Sequence, residues 1–238
     1  MSKQWMIYGA YGYSGELTAR NAKARGLTPI LAGRREDKVK PLADELGFEY
    51  RVFGLDDVAE VTQQLKDIDA VTHCAGPFSA TAEPMMKACI QAKTHYADIT
   101  GEIEVFELAA QLGGLAKAAG IVLCPGVGFD VIPTDCVAAA LKEAMPDATE
   151  LTLGFDSRSG FSPGTAKTSV EGMAQGNKVR VNGKIETKPM GKLVRKIDFG
   201  DGEKTAMSIP LGDVSTAFHS TGIPNISVYI PMPPKRIK

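Results

Sequence analysis

Four consecutive apolar residues near the start of the chain, Trp5-Met6-Ile7-Tyr8, end at Gly9. A run of this length bounded by a glycine reads as a strand buried on both faces, as in a parallel sheet. After Gly15 the period changes: Leu17, Ala19, Ala22 and Ala24 recur among Glu16, Thr18, Arg20 and Lys23, and Gly26 stands where a C′ residue stops a helix. The same alternation of strand and helix repeats. Strands are predicted at 28–32, 50–53, 69–74, 95–97 and 121–124. Helices are predicted at 38–46, 56–65, 82–92 and roughly 105–118, and another is opened by Pro133. Alternating βα units predict a Rossmann-type, doubly wound parallel sheet.

Beyond Pro146 the pattern changes to period two. Leu151, Leu153 and Phe155 alternate with small or polar residues, Ser162-Pro163 starts a short helix running to Ala174, and Asn182-Gly183 marks a hairpin turn within 179–185. Further strands are predicted at 193–199, 206–209 and 226–230. The fold class is therefore α/β, with an N-terminal Rossmann domain over 1–146 and a second, smaller α+β domain for substrate or dimerisation over 147–238.

The chain carries 27 Lys and Arg against 28 Asp and Glu, a net charge of −1 that gives no reason to expect nucleic acid. The charge is unevenly placed: residues 151–238 hold 13 basic against 7 acidic side chains, which reads as a solvated basic face. Cys74, Cys89, Cys124 and Cys136 form no C-x-x-C pair and read as buried reduced thiols; no metal ligand set emerges. With no signal-like or membrane-spanning apolar run, the default location is cytoplasmic. The second domain's sheet offers a surface for a homodimer.

Strand, glycine turn and helix in that order form a phosphate cradle. In Gly9-Ala10-Tyr11-Gly12-Tyr13-Ser14-Gly15 the glycines let the backbone turn sharply and approach a pyrophosphate, while the helix N-terminus favours the anion. The second strand ends in Gly33-Arg34-Arg35, where an NAD site places an acid for the ribose 2′-hydroxyl and an NADP site needs cations for the 2′-phosphate. Two arginines there predict NADP(H). Glu36 and Asp37 read as helix-start acids. The turn Ala75-Gly76-Pro77-Phe78 stands at the carboxyl end of another strand and is expected along the cofactor, with His73 just inside as a core histidine. Asp98 and Glu102 flank Gly101 and suit either the orienting of a substrate amine or acid/base work, the alternative being helix N-capping by Asp98 or Thr100.

These residues resemble the saccharopine dehydrogenase-like oxidoreductases, in particular the bacterial members described as saccharopine dehydrogenase NADP-binding domain proteins. The likeness rests on Tyr8 to Gly15, Leu31 to Arg35, Cys74 to Phe78, Tyr96 to Glu102, Pro125 to Asp130, Ser162 to Ser169 and Phe218 to Asn225. It implies an NADP-binding Rossmann domain, a mixed second domain and an active cleft between them. It leaves the substrate open among a small carbonyl, an imine and an enoyl group, since true saccharopine enzymes act on an amino-acid adduct and other relatives are linked to lipid enoyl reduction. Relatives continue past the equivalent of Pro231-Met232-Pro233-Pro234, whereas this chain stops at Lys238. That stop implies either a missing part of the cleft or a surface that needs a partner.

On this reading the Gly9–Gly15 loop binds pyrophosphate, Arg34 and Arg35 hold the 2′-phosphate and Gly76 to Phe78 border the nicotinamide. The catalytic candidates are Glu102, Asp130, Lys167 and His219. Two rivals remain: a non-catalytic NADP-binding or interaction protein, a shortened enzyme, and a semialdehyde dehydrogenase using Cys136 near a helix start. A short-chain dehydrogenase is excluded, because none of the six tyrosines has a lysine four residues later.

Overall fold

Three of the four residues of β1 (Trp5–Tyr8) are buried, because the strand is paired in parallel along both edges. Met6–Tyr8 lie opposite Ile30–Ala32 of β2 (Ile30–Gly33), and Trp5–Tyr8 lie opposite Ala70–His73, the whole of β4. The computed structural model that shows this describes residues 4–157 and 176–236. With β3 (Tyr50–Val52), β5 (His95–Asp98) and β6 (Leu123–Cys124) the sheet runs β3-β2-β1-β4-β5-β6, all neighbours parallel. This is the doubly wound order, whose direction reverses between β1 and β4, the place where such sheets take their ligands.

The helices of this part are α1 (Tyr13–Ala24), α2 (Glu36–Leu46), α3 (Val58–Gln64), α4 (Phe78–Ala92) and α5 (Ile103–Ala119). Each boundary has a local cause. Gly26 (φ +71°) stops α1 and Gly47 (φ +68°) stops α2 in the left-handed region, while the Asp57 carboxylate caps α3 by accepting from the N–H of Ala59 at 2.8 Å. Helix α4 starts four residues earlier than the apolar period suggests, since Pro84 lies within it and breaks the pattern. Gly113-Gly114 do not interrupt α5.

Leu31, Ile7, Val39 and Ala43, all without solvent exposure, form a core between the sheet and α1 and α2. Leu31, Ile7 and Val39 contribute about 1.5–3 kcal/mol each on burial. On the other side His73, fully buried, is edge-on to Phe78 at 5.4 Å and lies 6.1 Å from Tyr96. Burial pushes its imidazole down to about 3, so it is neutral and structural, as its place inside the strand suggests.

The second unit is α+β. Its elements are α6 (Ile132–Ala144), β7 (Glu150–Gly154), β8 (Asn177–Val181), β9 (Lys184–Lys188), β10 (Val194–Asp198), β11 (Glu203–Ser208), α7 (Asp213–Thr221) and β12 (Asn225–Pro231). The strands form one sheet in the order β10-β11-β12-β8-β9, with β7 parallel to β12 along the opposite edge of that strand. The β8–β9 hairpin turns at Asn182 (φ +48°) and Gly183 (φ +79°), the primed turn that Asn-Gly favours. Ala138 of α6 packs with Leu151, Val214, Ala217 and Ile226 under this sheet.

Three expectations change here. By packing, the chain divides into residues 1–100 with 107–128 and residues 101–106 with 129–238. Helix α6, placed by sequence in the first domain, therefore belongs with the second, because its inward face is buried against α7 and β7. Helix α7 itself had no sequence signal: Val214, Ser215, Thr216 and Thr221 are weak helix formers, and tertiary packing overrides them. Of the cysteines, Cys89 is buried, whereas Cys124 on the edge strand β6 and Cys136 on the outer face of α6 are exposed; all four are free. The helix expected from Ser162 to Ala174 lies outside the described residues. Among the described residues no helix is long and apolar enough to cross a membrane.

Candidate functional site

The turn after β1 is built from close backbone approaches. Gly9 has φ +78°, and a Cβ there would stand 2.8 Å from the Ala75 Cβ and backbone nitrogen. A Cβ on Gly15 would lie 2.2 Å from the Gly9 carbonyl oxygen, and one on Gly12 would lie 3.2 Å from the same atom. The Gly9 and Ala10 N–H groups donate to the Ala32 carbonyl at 2.8 and 3.1 Å, and the Gly12 N–H donates to the Gly9 carbonyl at 3.0 Å. Gly12 is the N-cap of α1 and supplies no side-chain cap. The N–H groups of Tyr13, Ser14 and Gly15, the first turn of α1, consequently have no intrahelical acceptor, an arrangement that suits an anion.

Tyr11 has a structural duty within this turn. Its ring lies where a Cβ on Gly33 would be, with Cε1 2.5 Å from that position. Gly33 is thus required for Tyr11 to cover the end of β2. Tyr13 is exposed at the start of α1.

The two arginines that follow are not equivalent. Arg35 is the N-cap of α2, and its guanidinium is held by Asp37, with Nε donating to Oδ1 at 3.1 Å and Nη2 to Oδ2 at 2.6 Å. Arg34 is exposed and makes no hydrogen bond or ion pair to a described residue. Glu36 accepts from the Tyr50 hydroxyl at 3.3 Å and Asp37 is taken by Arg35, so both acids are engaged within the protein.

At the end of β4 the loop 75–77 is pinned by Thr81, whose Oγ1 lies 2.7 Å from the Ala75 carbonyl, 3.1 Å from the Pro77 carbonyl and 3.0 Å from His73 Nε2. Gly76 is exposed, whereas Phe78 is buried against His73. Ala75, Gly76 and Pro77 can border a ligand; the Phe78 ring faces the core.

Asp98, at the end of β5, is a hub. Fully buried, it accepts from the Tyr96 hydroxyl at 2.5 Å, the Thr100 N–H at 2.9 Å and the Gly126 N–H at 2.8 Å. It therefore ties β5 to the loop after β6 instead of capping α5. Its charge adds to burial in pushing the Cys74 thiol up to about 12. Replacing Tyr96 by Phe removes one charge-assisted bond and is expected to lower unfolding stability by about 1.5 kcal/mol in urea titration; an unchanged midpoint would contradict this role.

Of the four catalytic candidates, Asp130 packs on the residue that precedes Glu102. A Cβ on Gly101 would lie 2.6 Å from Asp130 Oδ2, and Glu102 follows directly, its carbonyl accepting from Val105 at 3.0 Å as α5 begins. Loss of water on the Gly101 side pushes the Asp130 carboxyl up. His219 is exposed in the last turn of α7, its ring 5.8 Å from that of Phe218. Lys167 lies outside the described residues. Cys136, the fifth residue of α6, makes no hydrogen bond or ion pair among them. One acid was missed by sequence reading: Asp213, fully buried at the start of α7. Its only local signal is an acid directly after Leu211-Gly212, ahead of an apolar residue.

Comparison with known proteins bears on this arrangement. Residues 5–124 match the family described as Saccharopine dehydrogenase NADP binding domain. A protein of Mycobacterium tuberculosis H37Rv named trans-acting enoyl reductase is 30% identical over 184 residues, covering 71% of this chain and 44% of that protein. The chain thus spans less than half the length of that relative. Among solved structures, the apo saccharopine dehydrogenase (L-Glu forming) of Saccharomyces cerevisiae matches with a TM-score of 0.68 over 96% of this chain and 55% of the other, at 14% identity. GenD2 from gentamicin A biosynthesis, solved in complex with NAD, matches with a TM-score of 0.51 over 97% and 66%, at 18% identity. At these identities the structural matches speak to fold.

Proposed function

We propose that this chain, which belongs to the family of the saccharopine dehydrogenase NADP binding domain, binds NADP(H) through its first unit and serves hydride transfer to an enoyl group. The observation that carries the cofactor choice is the contrast at the end of β2: Arg34 is exposed and uncommitted while both nearby acids are engaged. A 2′-phosphate needs a free donor fork, and a ribose 2′-hydroxyl needs a free carboxylate. The uncommitted group here is the cation.

In this reading the orphan N–H groups at the start of α1 hold the pyrophosphate, Gly9, Gly12 and Gly15 admit it, and Tyr11 and Gly33 floor the adenosine end. Ala75, Gly76 and Pro77 border the dinucleotide beside β4. The cofactor supplies the hydride. Glu102, which follows Gly101, and Asp130, which packs on it, are the groups of the second unit suited to proton exchange. An enoyl acceptor is preferred over an aldehyde or imine because the curated relative at 30% identity carries that activity in its name.

The test is NADPH oxidation by the full chain across matched enoyl, aldehyde and imine acceptors, together with direct NADPH binding. Turnover greatest with the enoyl acceptor supports the reading. Tight NADPH binding without turnover on any of the three would contradict its catalytic half and leave a binding protein.

A further inference from the structure

The chain passes between its two units after Thr100, after Phe106 and after Gly128. The first and last of these crossings start side by side, because they follow β5 and β6, which pair at Tyr96↔Leu123 and Ala97↔Cys124. One residue holds both. Asp98 Oδ1 accepts the Thr100 N–H at 2.9 Å and the Gly126 N–H at 2.8 Å, and the Asp98 carbonyl accepts the Val127 N–H at 2.7 Å. The second carboxylate oxygen has a different duty: Oδ2 takes the Tyr96 hydroxyl at 2.5 Å and so anchors the side chain to its own strand.

Asp98 and Thr100 are buried, as is Gly126, which turns there with φ +73°. Their N–H groups therefore need an acceptor inside the protein. The two loops also touch directly, since a Cβ on Gly128 would lie 3.3 Å from the Ile99 Cβ. Beyond the crossings they meet again. Thr100 leads to Gly101 and Glu102, Gly128 leads to Phe129 and Asp130, and a Cβ on Gly101 would lie 2.6 Å from Asp130 Oδ2 and 3.5 Å from its Cβ. Oδ1 of Asp98 thus joins the two loops immediately before they deliver the two acids.

We propose that Asp98 is a positioning residue, which fixes where Glu102 and Asp130 stand by clamping the two loops that carry them. Being buried, it acts through those acids, and its value for turnover rests on the proton-exchange role given to them above. Without Oδ1, the N–H groups of Thr100 and Gly126 lose their acceptor and are satisfied only if the loops open to water. A displacement of about 1 Å at the acids then costs about a hundredfold in rate. The clamp belongs to Oδ1 alone, so the Tyr96 bond is separable from it.

The test uses the full chain and reads amide exchange, NMR contacts and turnover. In the wild type the Thr100 and Gly126 amides are expected to exchange only on global unfolding, and a nuclear Overhauser contact should join Gly101 Hα to Asp130 Hβ. D98A should speed both amides about a hundredfold and abolish that contact. It should also lower kcat with the enoyl acceptor about a hundredfold while leaving NADPH affinity within about twofold. D98N should restore all of these, because its amide oxygen can take the place of Oδ1 while its NH₂ faces the Tyr96 oxygen. Tyr96→Phe should lose stability but keep the contact and the turnover. A D98A chain that retains the Gly101–Asp130 contact, or a D98N chain that behaves like D98A, overturns the clamp. A parent chain with no turnover on any acceptor contradicts the catalytic reading, and the amides and the contact then decide the clamp separately. If D98A fails to fold, wild-type Thr100 and Gly126 amides that exchange ahead of global unfolding overturn the proposal, and protected ones in both wild type and D98N support it.

Discussion

Replacing Gly15 by alanine is expected to abolish nucleotide binding, with at least a hundredfold loss of NADPH affinity and about 3 kcal/mol of stability. The reason is contact, since φ is not positive at this residue. The added methyl would lie 2.2 Å from the Gly9 carbonyl oxygen and 2.9 Å from the Ala10 Cα. Those atoms are backbone of the turn itself, so relief requires α1 to move away from β1. That movement also displaces the three orphan N–H groups that are proposed to hold the pyrophosphate. NADPH fluorescence on titration, with urea unfolding in parallel, measures both losses. A Gly15→Ala chain that binds NADPH as the parent does would show that the cradle is not the nucleotide site.

Arg34 and Arg35 should separate in the second prediction. Arg34→Ala removes the uncommitted guanidinium and is expected to weaken NADPH about a hundredfold while leaving NADH within about twofold, the scale of one or two charge-assisted bonds to a phosphate. Arg35→Ala should cost much less, because that side chain is already spent on Asp37 at 2.6 Å. As the contact is exposed, the difference should shrink as salt rises. Equal losses of NADPH and NADH in Arg34→Ala, or a larger loss in Arg35→Ala, would refute the assignment.

Most of the first unit could be read from local pattern, because its determinants are local. A buried parallel strand is apolar throughout, a glycine turn announces itself, and Gly26 and Gly47 punctuate their helices by φ alone. The hairpin at Asn182-Gly183 follows the same rule. The missing parts depend on partners distant in sequence. Apart from Ala217, little in Val214 to Thr221 favours a helix, and α7 exists because α6 and β12 cover it. Cys124 reads like any thiol after an apolar run, and only the sheet order makes β6 an edge. Arg34 and Arg35 look alike until Asp37 claims one of them. Asp213 is the extreme case: an acid in the sequence, it is fully buried in the fold and bonded to Thr134, 79 residues away.

The catalytic candidates show the same division. In the sequence Gly101 stands between the acids at 98 and 102, yet the fold puts Asp98 to structural work and brings Asp130 to Gly101 instead. That exchange depends on the Asp98 bonds to Thr100 and Gly126, which no spacing reveals.

If Arg34, which has no partner among the described residues, takes a 2′-phosphate beside the turn after β1, the chain prefers NADP(H) to NAD(H). Parallel calorimetric titrations of the intact chain with NADPH and NADH at low salt test it most directly. The account predicts NADPH binding at least tenfold tighter; equal affinities, or tighter binding of NADH, would contradict it.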